Sequence, residues 1–232
     1  MLVKITNMCH MVCSHCMDEA GPDGKHMSME TFGHTLNFIE RFDLKIIFMS
    51  GGEPTDHPQF KEFVIMARKR DLPVMVSSNG MFMPERSDLL DLEARWQIIN
   101  DPRYYPKRIP RIEHPNVFYA EEIPAPITPI GRSKNAQGGR MSPLCFNLRS
   151  ITRSMGCFQR AILQLRLLGK MCIPGVNIDG SIVAGESRFC HVIGNVQDTD
   201  ETLTKNIIAM TCSRCGLVNN LDQTLKTAIG EM

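Results

Sequence analysis

The sequence has no charge excess of either sign. Its 26 lysines and arginines face 25 aspartates and glutamates, for a formal net charge of +1. Nothing in that total announces a nucleic acid or an anionic membrane as a partner, and neither is expected. Long hydrophobic runs are also missing. No uninterrupted apolar stretch approaches the roughly 20 residues of a membrane span. The opening residues, MLVKITNMCH, carry no secretory pattern, because their apolar stretch is short and interrupted. The cytosol is therefore the expected compartment. Internal repeats and low-complexity segments are absent too. What is there is ample apolar material: 43% of the 232 residues are hydrophobic, enough for one large domain or a domain with a small appendage.

Nine cysteines stand out in such a chain. The number is odd, and the residues cluster, with Cys9, Cys13 and Cys16 near one end and Cys212 and Cys215 near the other. Disulfide scaffolds are usually shorter and exported, so metal or cluster ligation is the better reading. The sixteen methionines read as core filler.

The first half alternates between strand and helix signals. Leu2 to Ile5 is a short strand that opens into the cysteine loop. Ser28 caps a helix in which Phe32, Leu36, Ile39 and Phe42 recur near helical spacing. Ile46 to Met49 is a buried strand ended by Gly51-Gly52, Phe60 to Arg70 a helix, and Val74 to Val76 a third strand ended by Asn79-Gly80. A short helix is expected over Ser87 to Glu93, with further strands at Trp96 to Ile99 and Val117 to Ala120. This alternation predicts an α/β fold with a parallel sheet or partial barrel, whose ligand sites lie beyond the carboxyl ends of the strands. The cysteine, Gly-Gly-Glu-Pro and Ser-Asn-Gly loops all fall there. Prolines 124, 126 and 129 then lead into a Gly/Ser/Asn/Gln-rich stretch, followed by a helix over Ala161 to Leu168. Val176 to Val183, turning at Asp179-Gly180, is a hairpin, and Thr202 to Met210 a last helix.

Cys9-His-Met-Val-Cys13-Ser-His-Cys16 is a CxxxCxxC motif. Three thiolates this close can wrap one polynuclear centre, and three ligands leave one iron of a cubane open to chelate a substrate. Zinc is the alternative, with His10 or His15 as fourth ligand. His57, in Asp56-His57-Pro58, reads as a structural turn histidine rather than an acid or base.

The loop resembles the signature of the radical S-adenosylmethionine (radical SAM) superfamily. Ser50-Gly51-Gly52-Glu53-Pro54 resembles that family's GGEP motif, and Val76-Ser77-Ser78-Asn79-Gly80 its TNG-type strand end, in the family's order. The resemblance implies an abbreviated partial (β/α) barrel. Cys9, Cys13 and Cys16 would hold three irons of a [4Fe–4S] cluster, and SAM would occupy the fourth. Gly51 and Gly52 would allow close backbone approach, and Glu53 or nearby carbonyls would accept from the amino group of SAM. Pro54 would stiffen the turn, and His15 would stack beside the adenine. Ser78 and Asn79 would face the SAM carboxylate or ribose, and Gln97 is the matching candidate for a ribose contact. A reductant such as flavodoxin or ferredoxin would supply the electron.

Cys172, Cys190, Cys212 and Cys215 form a second set: a hairpin with a cysteine at each foot, then a CxxC at a helix end. Spacing alone accepts zinc or a [4Fe–4S] cluster. The stretch is similar to part of the SPASM/twitch extension of radical SAM enzymes, and Pro129-Ile-Gly-Arg132 resembles the segment leading into it. That similarity implies one auxiliary cluster, because the further cysteines of a full SPASM domain are missing. Cys145 and Cys157 have no assigned role. The expected organisation is a core over 1–130, a linker and helix over 131–171, and an auxiliary cluster region over 172–232. The implied activity is SAM cleavage to a 5′-deoxyadenosyl radical and hydrogen abstraction from a peptide or protein. A small-molecule substrate is the second reading, and a zinc-binding interaction module without SAM chemistry the third.

Overall fold

The computed structural model describes residues 1–83, 85–99, 111–119, 131–132 and 174–209. Among these residues, eight strands form one sheet in the order β5-β4-β3-β2-β1-β6-β7-β8. They are β1 (Leu2–Thr6), β2 (Ile47–Gly51), β3 (Val74–Ser78), β4 (Ala94–Ile98), β5 (Val117–Tyr119), β6 (Gly175–Val176), β7 (Ser181–Val183) and β8 (Val192–Asn195). From β5 through β1 to β6 every pairing is parallel, whereas β7 and β8 are antiparallel additions. Among the described residues the sheet is open, and β5 and β8 are its two ends. All five residues of β1 are buried, as expected for the centre of a covered parallel sheet.

Helix α1 (Met29–Arg41) begins where the sequence says it should: the Ser28 hydroxyl accepts from the Thr31 N–H at 3.0 Å. Its buried residues Phe32, Leu36 and Ile39 form one stripe against the sheet. Helix α2 (Phe60–Arg68) packs beside it, with Phe32 and Phe63 stacked at 4.1 Å between ring centres. Trp96 on β4 is fully buried between Phe60 and Phe82. Helix α3 (Asp200–Ala209) follows β8.

Three differences from the sequence reading are local. The short helix expected over Ser87 to Glu93 is a 3-10 helix and ends two residues earlier, spanning Ser87–Asp91. The hairpin strands are shorter than expected: Asn177 already belongs to the turn, where its N–H donates to the Ser181 carbonyl at 2.8 Å. Strand β8, four residues interrupted by Gly194, has no signal strong enough to read from sequence. The helix expected over Ala161 to Leu168 lies outside the described residues.

Candidate functional site

Because β1, β2 and β3 run parallel, the loops that follow them meet at one edge of the sheet. The loop after β1 folds back on itself. The Asn7 N–H donates to the Lys25 carbonyl at 2.8 Å, and the Cys9 N–H to the Gly21 carbonyl at 2.9 Å. Cys9, Cys13 and Cys16 lie on its outer arm, partly exposed and with free thiols. Val12, between them, is 51% exposed and has φ 42°, a conformation that β-branched residues rarely adopt.

The Gly-Gly-Glu-Pro loop is laced directly to this one. The Gly52 N–H donates to the Thr6 carbonyl and the Glu53 N–H to the Met8 carbonyl, both at 2.7 Å. A Cβ on Gly51 would sit 2.1 Å from the Thr6 oxygen, and one on Gly52 would sit 1.9 Å from the Met8 oxygen. The two glycines therefore serve the approach of β2 to the cysteine loop, a contact no side chain permits. Pro54 opens a buried 3-10 turn immediately afterwards.

Glu53 is 3% exposed. Its carboxylate accepts from the Thr55 hydroxyl at 2.8 Å, the Thr55 N–H at 3.2 Å, the Ser78 hydroxyl at 2.8 Å and the Asn79 N–H at 2.8 Å. Burial raises its pKa, and these four donors oppose that shift. The side chain is thus taken up by the protein's own groups and joins the loops after β2 and β3. Ser78 is equally committed, since its oxygen also accepts from the Gly80 N–H at 2.9 Å. The Asn79 amide is oriented by the Met81 N–H, which donates to its Oδ1 at 2.9 Å. That turns Nδ2 toward Cys9, where it donates to the Sγ at 3.8 Å. The three loops thereby close a ring of contacts.

The donor set fits an iron–sulfur cluster. Three free thiols share one loop, two of them already accept N–H groups (Asn79 Nδ2 to Cys9 and, at 3.4 Å, Ala20 N–H to Cys16), and such bonds accompany cluster thiolates. Among the described residues, no three His, Cys, Asp or Glu side chains converge on a point that a single ion could occupy. Without a metal, burial pushes the Cys9 thiol up to about 11, with the Glu53 carboxylate adding to the shift. Burial also raises the pKa of Cys13, as does neighbouring Cys16.

The remaining candidates are placed as follows. His10 meets Asp56 at 2.9 Å across the two loops, and His15 is partly exposed on the cysteine loop. Gln97 lies within β4, paired in register with Ser77 and Phe118. His57 is a buried structural histidine: Nε2 donates to the Met27 carbonyl and Nδ1 accepts from the Gln59 N–H. Cys190 lies in the loop between β7 and β8, while Cys172, Cys212, Cys215, Cys145 and Cys157 fall outside the described residues. Sequence reasoning missed Lys4 and Asp18, buried partners at 3.0 Å, because nothing in an apolar strand or a polar loop marks a pair. It also missed the role of Arg132, which binds three carbonyls of the cysteine loop: its N–H that of Cys16, Nε that of Cys13 and Nη2 that of Ala20.

Residues 3–93, which contain all three loops, match the Radical SAM superfamily model. Over 86 residues the chain is 33% identical to the tungsten-containing aldehyde ferredoxin oxidoreductase cofactor-modifying protein of Pyrococcus furiosus, covering 36% of this chain and 24% of that protein. Over 79 residues it is 30% identical to mycofactocin maturase MftC of Mycobacterium ulcerans, covering 34% of this chain and 21% of that one. The chain thus spans about a quarter or less of the length of these curated relatives. The solved structure of BtrN in complex with AdoMet and 2-DOIA matches with a TM-score of 0.53 at 14% identity, covering 100% of this chain and 85% of that one. At that identity the likeness is one of fold, and it agrees with the open, mostly parallel α/β sheet seen here. Among the described residues no helix is long and apolar enough to cross a membrane. Residues 3–93 thus carry a match to the radical SAM superfamily, a family of enzymes whose members use a [4Fe–4S] cluster and S-adenosylmethionine.

Proposed function

We propose that this enzyme cleaves S-adenosylmethionine reductively at a cluster held by Cys9, Cys13 and Cys16, and that its substrate is a peptide or protein. The observation that carries the proposal is the lacing of the three-cysteine loop to the Gly-Gly-Glu-Pro loop through Gly52 and Glu53. When bound, the cluster supplies the electron that breaks the sulfonium C–S bond, giving methionine and a 5′-deoxyadenosyl radical that takes a hydrogen atom from the substrate.

The chain's own residues have distinct tasks in this reading. Asn79 steadies the Cys9 thiolate. Glu53 fixes the relation of three loops instead of meeting the ammonium group of SAM, which leaves that group to backbone carbonyls at the strand edge. Pro54 holds the turn after Glu53. His15 stacks beside the adenine, and Gln97 and the Ser78–Asn79 turn face the ribose side. Cys172, Cys190, Cys212 and Cys215 hold an auxiliary [4Fe–4S] cluster. The peptide assignment is supported by the likeness to mycofactocin maturases over about a third of the chain. A low-potential protein such as flavodoxin or ferredoxin delivers the electron, and the cytosol provides a reducing compartment.

Anaerobic reconstitution tests the reading. Brown protein, close to four irons per site, and 5′-deoxyadenosine release with dithionite are expected. Changing Cys9, Cys13 and Cys16 to Ala together removes the release and one site's worth of iron. Colourless protein that takes up only zinc overturns the proposal. Deuterium transfer from labelled peptides, but not from labelled metabolites, into 5′-deoxyadenosine supports the substrate class, and the converse overturns it.

A further inference from the structure

Asp18 lies two residues beyond Cys16, on the return arm of the cysteine loop, and is 6% exposed. Its Oδ1 accepts from two donors that come from different parts of the chain: Lys4 Nζ on β1 at 3.0 Å, and the Arg188 N–H at 2.6 Å. The adjacent residues repeat the connection, because the Ser187 hydroxyl donates to the Met17 carbonyl at 2.8 Å. Residues 17 and 18 are thus fastened to residues 187 and 188 at two points. Two consecutive points fix orientation as well as distance. The same short turn carries Cys190, whose N–H donates to the Ser187 carbonyl at 3.0 Å.

A buried carboxylate needs donors beyond its counter-ion, and here the fold draws one of them from the Cys190 segment. Here the Asp18 oxygen that neutralises Lys4 is also the anchor for the Cys190 segment. Lys4 is 1% exposed with that segment in place, so its ammonium depends on Asp18 for a partner. Burial lowers the Lys4 pKa, and the acidic groups of Asp18, Cys190 and Glu186 oppose the shift. On its other side the return arm is closed by Gly131 and Arg132. A Cβ on Gly131 would lie 2.5 Å from the Met17 oxygen. The arm therefore has little freedom to move independently of the segment bonded to it.

We infer that Asp18 is a positioning residue that couples the cysteine loop to the Cys190 segment, so that ordering either one orders the other. Such coupling is reciprocal: a group bound at one set of cysteines favours the geometry of the other. It requires only the contacts described, whichever group each set holds.

Hydrogen exchange on the iron-free protein tests this directly. Ser187→Ala removes one attachment point without touching the ion pair or a thiol. It is expected to speed exchange in residues 13–20 and 186–190 together, by roughly fivefold to tenfold for the lost bond to Met17, while α1 and β2 to β4 stay unchanged; Phe189 is left out of the comparison, because its own N–H loses the Ser187 oxygen as acceptor. Asp18→Asn strands the Lys4 charge in the core, so the pair is replaced as a unit. The double variant Lys4→Met with Asp18→Asn keeps an acceptor for Arg188 and is expected to retain joint protection. Lys4→Met with Asp18→Leu removes the acceptor and loses protection in both segments. After anaerobic loading, the g values of the reduced cluster are expected to change in the Leu version and not in the Asn version. Faster exchange in 186–190 alone, or identical behaviour of the Asn and Leu versions, overturns the inference. Iron uptake is assayed separately: a protein whose segments are coupled but which binds no iron counts against the proposed function and leaves the coupling standing.

Discussion

The Ser78 hydroxyl donates to Glu53 Oε1 at 2.8 Å, tying the end of β3 to the loop that follows β2. Neither residue is open to solvent, and Glu53 also receives two donors from Thr55 and one from Asn79. Glu53→Gln replaces one acceptor oxygen with a donor that must face another donor. It is expected to cost about 1–3 kcal/mol in urea unfolding, and Ser78→Ala about 1 kcal/mol. Iron uptake by the Gln variant should fall as well, since the same carboxylate positions Asn79 against Cys9. An unfolding curve for Glu53→Gln that overlays wild type would show that the donors are not engaged.

Gly52 is expected to tolerate no side chain. Its missing Cβ is replaced in space by the Met8 carbonyl oxygen, 1.9 Å from where that carbon would sit. Gly52→Ala must push the cysteine loop away from β2, and such overpacking costs about 1–3 kcal/mol or more when backbone is the neighbour. Gly33, which has open space around it, is the control. Denaturant midpoints of the two alanine variants should separate clearly.

Cys9 should be a sluggish thiol before metal arrives. Burial holds its pKa at about 11, against an ordinary value of 9.0. The reactive thiolate is therefore scarce at neutral pH and grows as pH rises toward that value. Iodoacetamide labelling of iron-free protein, read by peptide mass spectrometry from pH 7 upward, should show Cys9 still climbing where an ordinary thiol has levelled. Loading iron at neutral pH must then release protons, measurable in weakly buffered solution.

His57 gives a pH dependence of opposite sense. Its Nδ1 accepts from the Gln59 N–H, so the folded state holds the neutral ring, and burial lowers its pKa below 6.5. Below pH 6.5 the unfolded chain takes up a proton that the folded chain resists. The unfolded state then binds more protons, and stability falls as pH drops through that window. The thermal midpoint should decline from pH 7 toward acid, and His57→Phe should flatten part of that decline while lowering stability at pH 7.

Much of the fold was legible because its signals are local. The Ser28 cap, the Phe32–Leu36–Ile39 stripe and the glycines after the second strand each act within a few residues, so one strand of sequence shows them. The eighth strand was not legible, because four residues around Gly194 carry no distinctive pattern. The site divides in the same way. Cys9, Cys13 and Cys16 are recognisable by spacing, and the loops after β2 and β3 by their glycines. The destination of the Glu53 carboxylate is a different matter. A glutamate in a loop beside a ligand site suggests a ligand contact, and only packing reveals four donors already around it.

By itself the sequence determined the thiol set, the order of the three loops and the parallel α/β framework that brings them to one edge. Those follow from residue type, spacing and strand–helix alternation. Only the tertiary structure decided which partners those residues meet: Gly52 against the Met8 carbonyl, Asn79 toward Cys9, and Asp18 between Lys4 and Arg188. The physical reason is range. Caps, turns and hydrophobic periodicity act over a few residues, whereas a buried carboxylate finds its donors wherever the chain returns, here Lys4 14 residues away and the Arg188 N–H 170 residues away.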